Sequence, residues 1–131
     1  MLTWVEVDLG AIKKNISAIK KYLGPKVLLA LVIKSNAYGH GMVEVAKIAS
    51  QVGVEFLCVD NVSEAKQIQN HKSKIPKILI LGGVESEDLE WVIKNNVRLA
   101  LFDSIHPRTF CRSSQSSGIC LIHLALSLII K

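Results

Sequence analysis

The chain has 131 residues, of which 50% are hydrophobic, 5% aromatic and 21% charged. That composition excludes generic disorder, and the length supports one aliphatic core that buries about two-thirds of the unfolded surface. Sixteen Lys and Arg against 11 Asp and Glu leave a net charge of +5, but the basic residues are scattered without interleaved aromatics, so no nucleic-acid partner is expected.

Val5-Glu6-Val7-Asp8 alternates apolar and acidic residues, the pattern of a half-buried opening strand. Asp8 is placed to cap a helix whose inward positions are Ile12, Ile16, Ile19 and Leu23, with Gly24-Pro25 as its stop. The pairs Lys13-Lys14 and Lys20-Lys21 then read as the helix's solvated face. Residues 27–33 are an unbroken apolar run, the mark of a strand covered on both faces. Met42, Val45, Ala46 and Ala49 mark a second helix that closes near Gly53. Phe56-Leu57-Cys58-Val59 reads as a strand, and Asp60-Asn61 leads into a helix carrying Ala65 and Ile68. Ile78-Leu79-Ile80-Leu81 is the next strand and ends in Gly82-Gly83. Ser86 is the expected cap of a helix that turns Leu89, Val92 and Ile93 inward. Strands are also expected over residues 97–102 and 119–126.

Strands alternating with helices imply right-handed βαβ units and a parallel sheet. The expected architecture is α/β: about five βα units, beginning at Val27, Phe56, Ile78, Val97 and Ile119, after an opening strand and helix. A closed eight-stranded barrel takes about 250 residues. The expectation is therefore an incomplete (β/α)8 barrel or a small open sheet.

Lys34 follows the most hydrophobic run, at the carboxyl end where α/β folds bind ligands. Two readings of it stand: a residue marking the strand's exit into water, or an amine beside apolar walls that attacks an aldehyde. Ser35-Asn36-Ala37-Tyr38-Gly39-His40-Gly41 follows directly. Its glycines permit a tight turn. Its phenol and the helix start behind it suit a phosphate, whereas the plain alternative is a polar connection with Tyr38 packed on the helix. Glu44 stands where a dinucleotide fingerprint needs glycine.

Cys58, Cys111 and Cys120 form no C-x-x-C pair and read as reduced thiols. Residues 1–6 show no secretory pattern, and the apolar stretch 119–130 is too short to span a bilayer. A cytoplasmic protein without membrane association is expected. No His or Cys pair has zinc spacing, so no metal is expected; His71, His106 and His123 read as surface, loop and rim residues.

The segment from Ile33 to Gly41 resembles the pyridoxal-phosphate attachment motif of bacterial alanine racemases, Lys-x-x-Ala-Tyr-Gly-His-Gly. Trp4-Val5-Glu6-Val7-Asp8-Leu9-Gly10-Ala11-Ile12 with Asn15 is similar to that family's opening, and Ile80-Leu81-Gly82, Ser116-Ser117-Gly118 and Ile122-His123-Leu124 match later landmarks in order. The resemblance implies a pyridoxal 5'-phosphate enzyme that interconverts L- and D-alanine, a supply of D-alanine for peptidoglycan. It implies the N-terminal part of a TIM-type barrel, in a family of homodimers. Carried over by motif, Lys34 would hold the cofactor as a Schiff base and act as the base on the D-alanine side. Tyr38 would contact the cofactor phosphate, and Leu81 would line the cofactor.

The match fades after Leu126. On this reading residues 1–126 are a partial barrel domain, 127–131 a divergent tail, and the family's C-terminal β-domain is absent. Ala125 cannot be carbamylated as a lysine there can, and the second base, a tyrosine of the other subunit's β-domain, has no counterpart. The expectation is a truncated racemase fragment with little activity of its own. The alternative is an inactive product or a small pyridoxal-phosphate-binding module.

Overall fold

The computed structural model describes residues 3–71 and 75–100. Helix α1 (Leu9–Leu23) leads into strand β1 (Ala30–Val32), a short turn α2 (Lys34–Tyr38) and helix α3 (Met42–Val52). Strand β2 (Phe56–Val59), helix α4 (Val62–Gln69) and strand β3 (Lys77–Ile80) follow. A 3-10 turn (Ser86–Asp88) runs into α5 (Leu89–Lys94), and β4 (Arg98–Leu99) ends the described chain. Among the described residues the strands form one parallel sheet in the order β1-β2-β3-β4. Sequential order with a helix in each crossover is the pattern from which a (β/α)8 barrel is built. The strand expected over 119–126 lies outside the described residues, as do Cys111, Cys120, His106 and His123.

Local chemistry accounts for the helix boundaries. Asp8 Oδ1 accepts from Ala11 N at 3.0 Å and starts α1, and Gly24, at φ 75°, ends it. Asn61 Oδ1 accepts from Glu64 N at 3.0 Å and starts α4. Gly53 closes α3 in the left-handed region, at φ 76°. Ser86 does not cap α5; it lies inside the 3-10 turn behind Glu85, and no side chain caps either piece.

Register sorts the strands into two layers. Leu31, Leu57 and Ile78 lie side by side, as do Val59, Ile80 and Leu99. These residues pack with Ile16, Val45, Ala49, Ala65, Ile68 and Val92 into the core beneath the helices. The alternate row, Val32, Cys58 and Leu79, belongs to the opposite face. Phe56 on that face lies under two cations, Lys77 Nζ at 5.8 Å and Arg98 at 4.7 Å from the ring centre. Burial pushes the free Cys58 thiol's pKa up, which suits an inert core thiol.

Three local expectations are corrected. Residues 5–8 form no strand, and Trp4 and Val5 are exposed. Alternation makes a strand only when a neighbour takes its backbone groups, and none of the described strands pairs with this segment. The run 27–33 is a strand only over Ala30–Val32, because Leu29 N–H is taken by Glu55 Oε2 at 2.9 Å and Val27 and Leu28 precede the paired stretch. It is not covered on both faces: among the described residues β1 pairs with β2 alone, and Ala30 and Val32 are exposed. Ile19 also faces outward, at 51% exposure.

Glu55 joins three elements at the amino end of β2. Lys20 donates to its Oε1 at 2.7 Å and Leu29 N–H to its Oε2 at 2.9 Å. Lys20 also donates to Gly53 O, so it is not a freely solvated lysine. Burial alone would raise the Glu55 pKa. The hydrogen bonds from Lys20 and Leu29, with the Lys20 charge, outweigh burial and hold it below the usual glutamate value. A carboxylate whose pKa falls on folding stabilises the protein above its unfolded pKa of about 4.3. That contribution is lost as pH drops through the lowered folded value. Glu55→Gln is expected to cost about 1 kcal/mol at pH 7. The gap to wild type should close as unfolding is followed into acid, below about pH 4. A gap of constant size across that range would remove the assignment.

Candidate functional site

The carboxyl ends of the strands form one rim. The ladder continues past the regular strands through Ile33 N to Cys58 O at 2.9 Å, Leu81 N to Val59 O at 2.8 Å and Gly82 N to Asp60 O at 2.9 Å. Residues 34, 60 and 81 therefore continue the rows of Val32, Cys58 and Leu79, on the face away from the helical core. Lys34 and Asp60 meet there, Nζ to Oδ1 at 3.2 Å, with side chains 38% and 51% exposed. The sequence leaves open a residue marking the strand's exit into water or an amine beside apolar walls; the structure gives Lys34 an acidic partner and leaves it partly open to water. Leu81 is half-buried just past the end of β3, two positions from the Lys34 strand in the sheet.

The turn after Lys34 has an unusual backbone. Ser35, Asn36, Ala37 and Tyr38 all have φ between 52° and 54°, a left-handed helical turn made without glycine. Each such residue costs roughly 1–2 kcal/mol, least for Asn. The turn persists because its polar groups are taken up. Ala37 N donates to Ile33 O at 2.8 Å, Gly39 N and Gly41 N to Asn36 O at 3.1 Å, and His40 N to Ala37 O at 3.1 Å. His40 Nδ1 donates to the same Ala37 oxygen at 2.8 Å. Asn36 Oδ1 accepts from Met42 N at 2.9 Å and so starts α3. Ala37 is buried as the inner wall of the turn, and Tyr38 is 61% exposed at its end. Gly39 and Gly41, at φ 89° and 91°, release the chain into α3.

The start of α3 is partly occupied by the protein's own groups. The Met42 N–H is already bonded to Asn36, and Glu44 puts a negative charge in the first turn. The Tyr38 phenol is exposed at the end of the turn. A groove of about 540 Å³ beside Tyr38 is lined by residues 5–8, α1 and His40, but not by Lys34 or Asp60.

Two residues of the site were not singled out for it in the sequence. Asp60 supplies the ion-pair partner of Lys34, and Glu64 accepts from Ser35 N at 2.7 Å and from Asp60 N at 2.8 Å. The spacing Asn61-x-x-Glu64 is a capping-box signature, and it is the signal that would have drawn attention to Glu64.

The described residues form an α/β protein with a lysine on the carboxyl rim of its parallel sheet, followed by a glycine-bounded polar turn, on the rim where α/β folds bind ligands. The chain belongs to the alanine racemase family: the family model for the alanine racemase N-terminal domain matches residues 7–126. The alanine racemase of Listeria innocua serovar 6a is 40% identical over 100 residues, covering 76% of this chain and 27% of that protein. The chain thus spans about a quarter of the length of the relatives it matches. The crystal structure of alanine racemase from Bacillus anthracis with bound L-Ala-P superposes with a TM-score of 0.77 at 36% identity, over 88% of this chain and 30% of that one. Alanine racemase from Bartonella henselae, with covalently bound pyridoxal phosphate, shares the fold at a TM-score of 0.76 and 24% identity, over 84% of this chain and 32% of that one. The described residues are the N-terminal part of the barrel. No helix among them is long and apolar enough to cross a membrane.

Proposed function

We propose that this chain is the cofactor-attaching portion of a pyridoxal-5'-phosphate-dependent alanine racemase, with Lys34 as the attachment residue. The observation that carries the reading is the position of Lys34: an amine on the open face of the carboxyl rim, half exposed, directly before a rigid polar turn. The residues present fit the cofactor. Lys34 supplies the amine that its aldehyde requires, the exposed Tyr38 phenol is a donor for its phosphate, and Leu81 offers an apolar wall on the same rim. When bound, pyridoxal phosphate supplies an electron sink for negative charge at the α-carbon of an amino acid.

The chain's own residues then have distinct tasks. Lys34 anchors the cofactor, and its Nζ, once free, takes a proton from or returns it to the alanine α-carbon on the D-alanine face. Asp60 holds the free Lys34 ammonium on the rim. The left-handed turn carries the chain from Lys34 to Tyr38. A racemase needs a second base on the other face, and the reading assigns it to a partner subunit of a homodimer. Residues 1–126 are read as barrel domain and 127–131 as a separate tail. A cytoplasmic location accords with the reduced, buried Cys58.

The test is site-specific labelling. The full chain is incubated with pyridoxal phosphate, reduced with borohydride and mapped by mass spectrometry. Lys34 is expected to dominate the adducts, and Lys34→Ala should reduce total incorporation to the level of scattered surface lysines. Label spread evenly over surface lysines, and unchanged in total in the variant, would overturn the reading.

A further inference from the structure

We propose that Glu64 is a positioning residue for Lys34: its carboxylate fixes both the left-handed turn that follows the lysine and the strand end that carries the lysine's ionic partner. The proposal rests on the reading of Lys34 as the attachment residue only in what it explains, not in what it observes.

In a capping box the third helical residue reaches back to the N–H of the cap. Here Asn61 caps α4 in the ordinary way, but Glu64 passes over it. One carboxylate oxygen, Oε2, accepts from Asp60 N at 2.8 Å, and the other, Oε1, from Ser35 N at 2.7 Å. The second bond joins segments 29 residues apart in the chain. Ser35 is the first residue of the left-handed turn, at φ 52° and ψ 52°, and it is the residue joined to Lys34. A turn that four successive residues disfavour needs anchors at its start, and the Ser35 N–H bond to Glu64 is an anchor that comes from a different βα unit. Asp60 is equally constrained. Its N–H donates to Glu64, its carbonyl accepts from Gly82 N, and its side chain pairs with Lys34. One carboxylate therefore holds the backbones beside both ends of the Lys34–Asp60 pair.

A glutamine at this position keeps the shape but has one acceptor oxygen and a donor amide, so it can satisfy only one of the two N–H groups. Glu64→Gln in the full chain is expected to speed hydrogen exchange about tenfold at whichever of the Ser35 and Asp60 amides loses its acceptor. Exchange in the rest of α4 and in β2 should stay as in wild type. Competitive acetylation of Lys34, measured against Lys47 without any cofactor present, should rise severalfold as the pair with Asp60 loosens. Glu64→Asp keeps both oxygens and the charge on a shorter stem, and should fall between wild type and Glu64→Gln in both measurements; it also serves if the glutamine variant folds poorly.

Unchanged exchange at Ser35 and Asp60 would overturn the proposal. So would faster exchange with unchanged Lys34 acetylation, which would leave Glu64 a purely structural clasp, and so would faster acetylation with unchanged exchange, which would reduce its effect to charge. The attachment reading fails separately: if wild-type Lys34 takes no pyridoxal phosphate while exchange and acetylation respond as described, Glu64 still positions the lysine and only its use for the cofactor is withdrawn.

Discussion

Gly82→Ala is expected to destabilise the chain by about 2–4 kcal/mol, through forced separation of β2 and β3 and loss of a ladder hydrogen bond. A Cβ at Gly82 would stand 2.4 Å from the carbonyl oxygen of Asp60 and 3.4 Å from its carbonyl carbon. Backbone atoms cannot swing aside as a flexible side chain can. The same carbonyl accepts from Gly82 N at 2.9 Å, so moving it breaks the bond that extends the ladder to the rim. The effect reaches the site, because Asp60 carries the ion pair to Lys34. The urea midpoint should fall with an unchanged slope. Gly83→Ala is the control: a Cβ there meets nothing within 4 Å and should leave the midpoint close to wild type. Equal midpoints for the two variants would show that the close approach at Gly82 relaxes without strain.

Leu57→Ala is expected to have the larger effect, about 2–5 kcal/mol. Leu57 is 0% exposed in β2, paired with Leu31 on one side and Ile78 on the other. Removing its side chain leaves a hole between the sheet and the helices, where neighbours on three elements are held by their own backbone ladders and cannot close in. Total stability for a domain of this size is commonly about 5–15 kcal/mol, so this one truncation should leave a measurable unfolded population. Ile19→Ala supplies the comparison. Ile19 sits in the same apolar series of α1 as the buried Ile16, but is 51% exposed, and its truncation should shift stability by less than about 0.5 kcal/mol. Denaturant titration of both variants decides whether burial or helical periodicity sets the cost.

Much of the fold was legible from local chemistry. Asp8, Asn61, Gly24 and Gly53 act at helix ends as their types suggest. Short apolar runs between helical periods became β2 and β3. The motif from Lys34 to Gly41 was legible because its residues are contiguous, so a short window contains the whole of it. Asp60 and Glu64 were not legible as site residues. Their partners lie 26 and 29 residues upstream, and nothing in a local window ties them to Lys34.

The amino-acid sequence by itself determined the caps and stops at Asp8, Gly24, Gly53 and Asn61, the short runs that became β2 and β3, and that a lysine stands at the end of a strand, because each of these depends on interactions within a few residues. Only the tertiary structure decided which strands receive partners, and so why residues 5–8 and 27–29 are not regular strand and why Val32 is exposed. It also decided that the lysine faces a carboxylate, and that the turn behind it is left-handed and held from another βα unit. A ladder hydrogen bond, an ion pair and a tolerated backbone strain each require groups that are distant in the chain to be brought within about 3 Å, and that distance is set by packing the whole sheet.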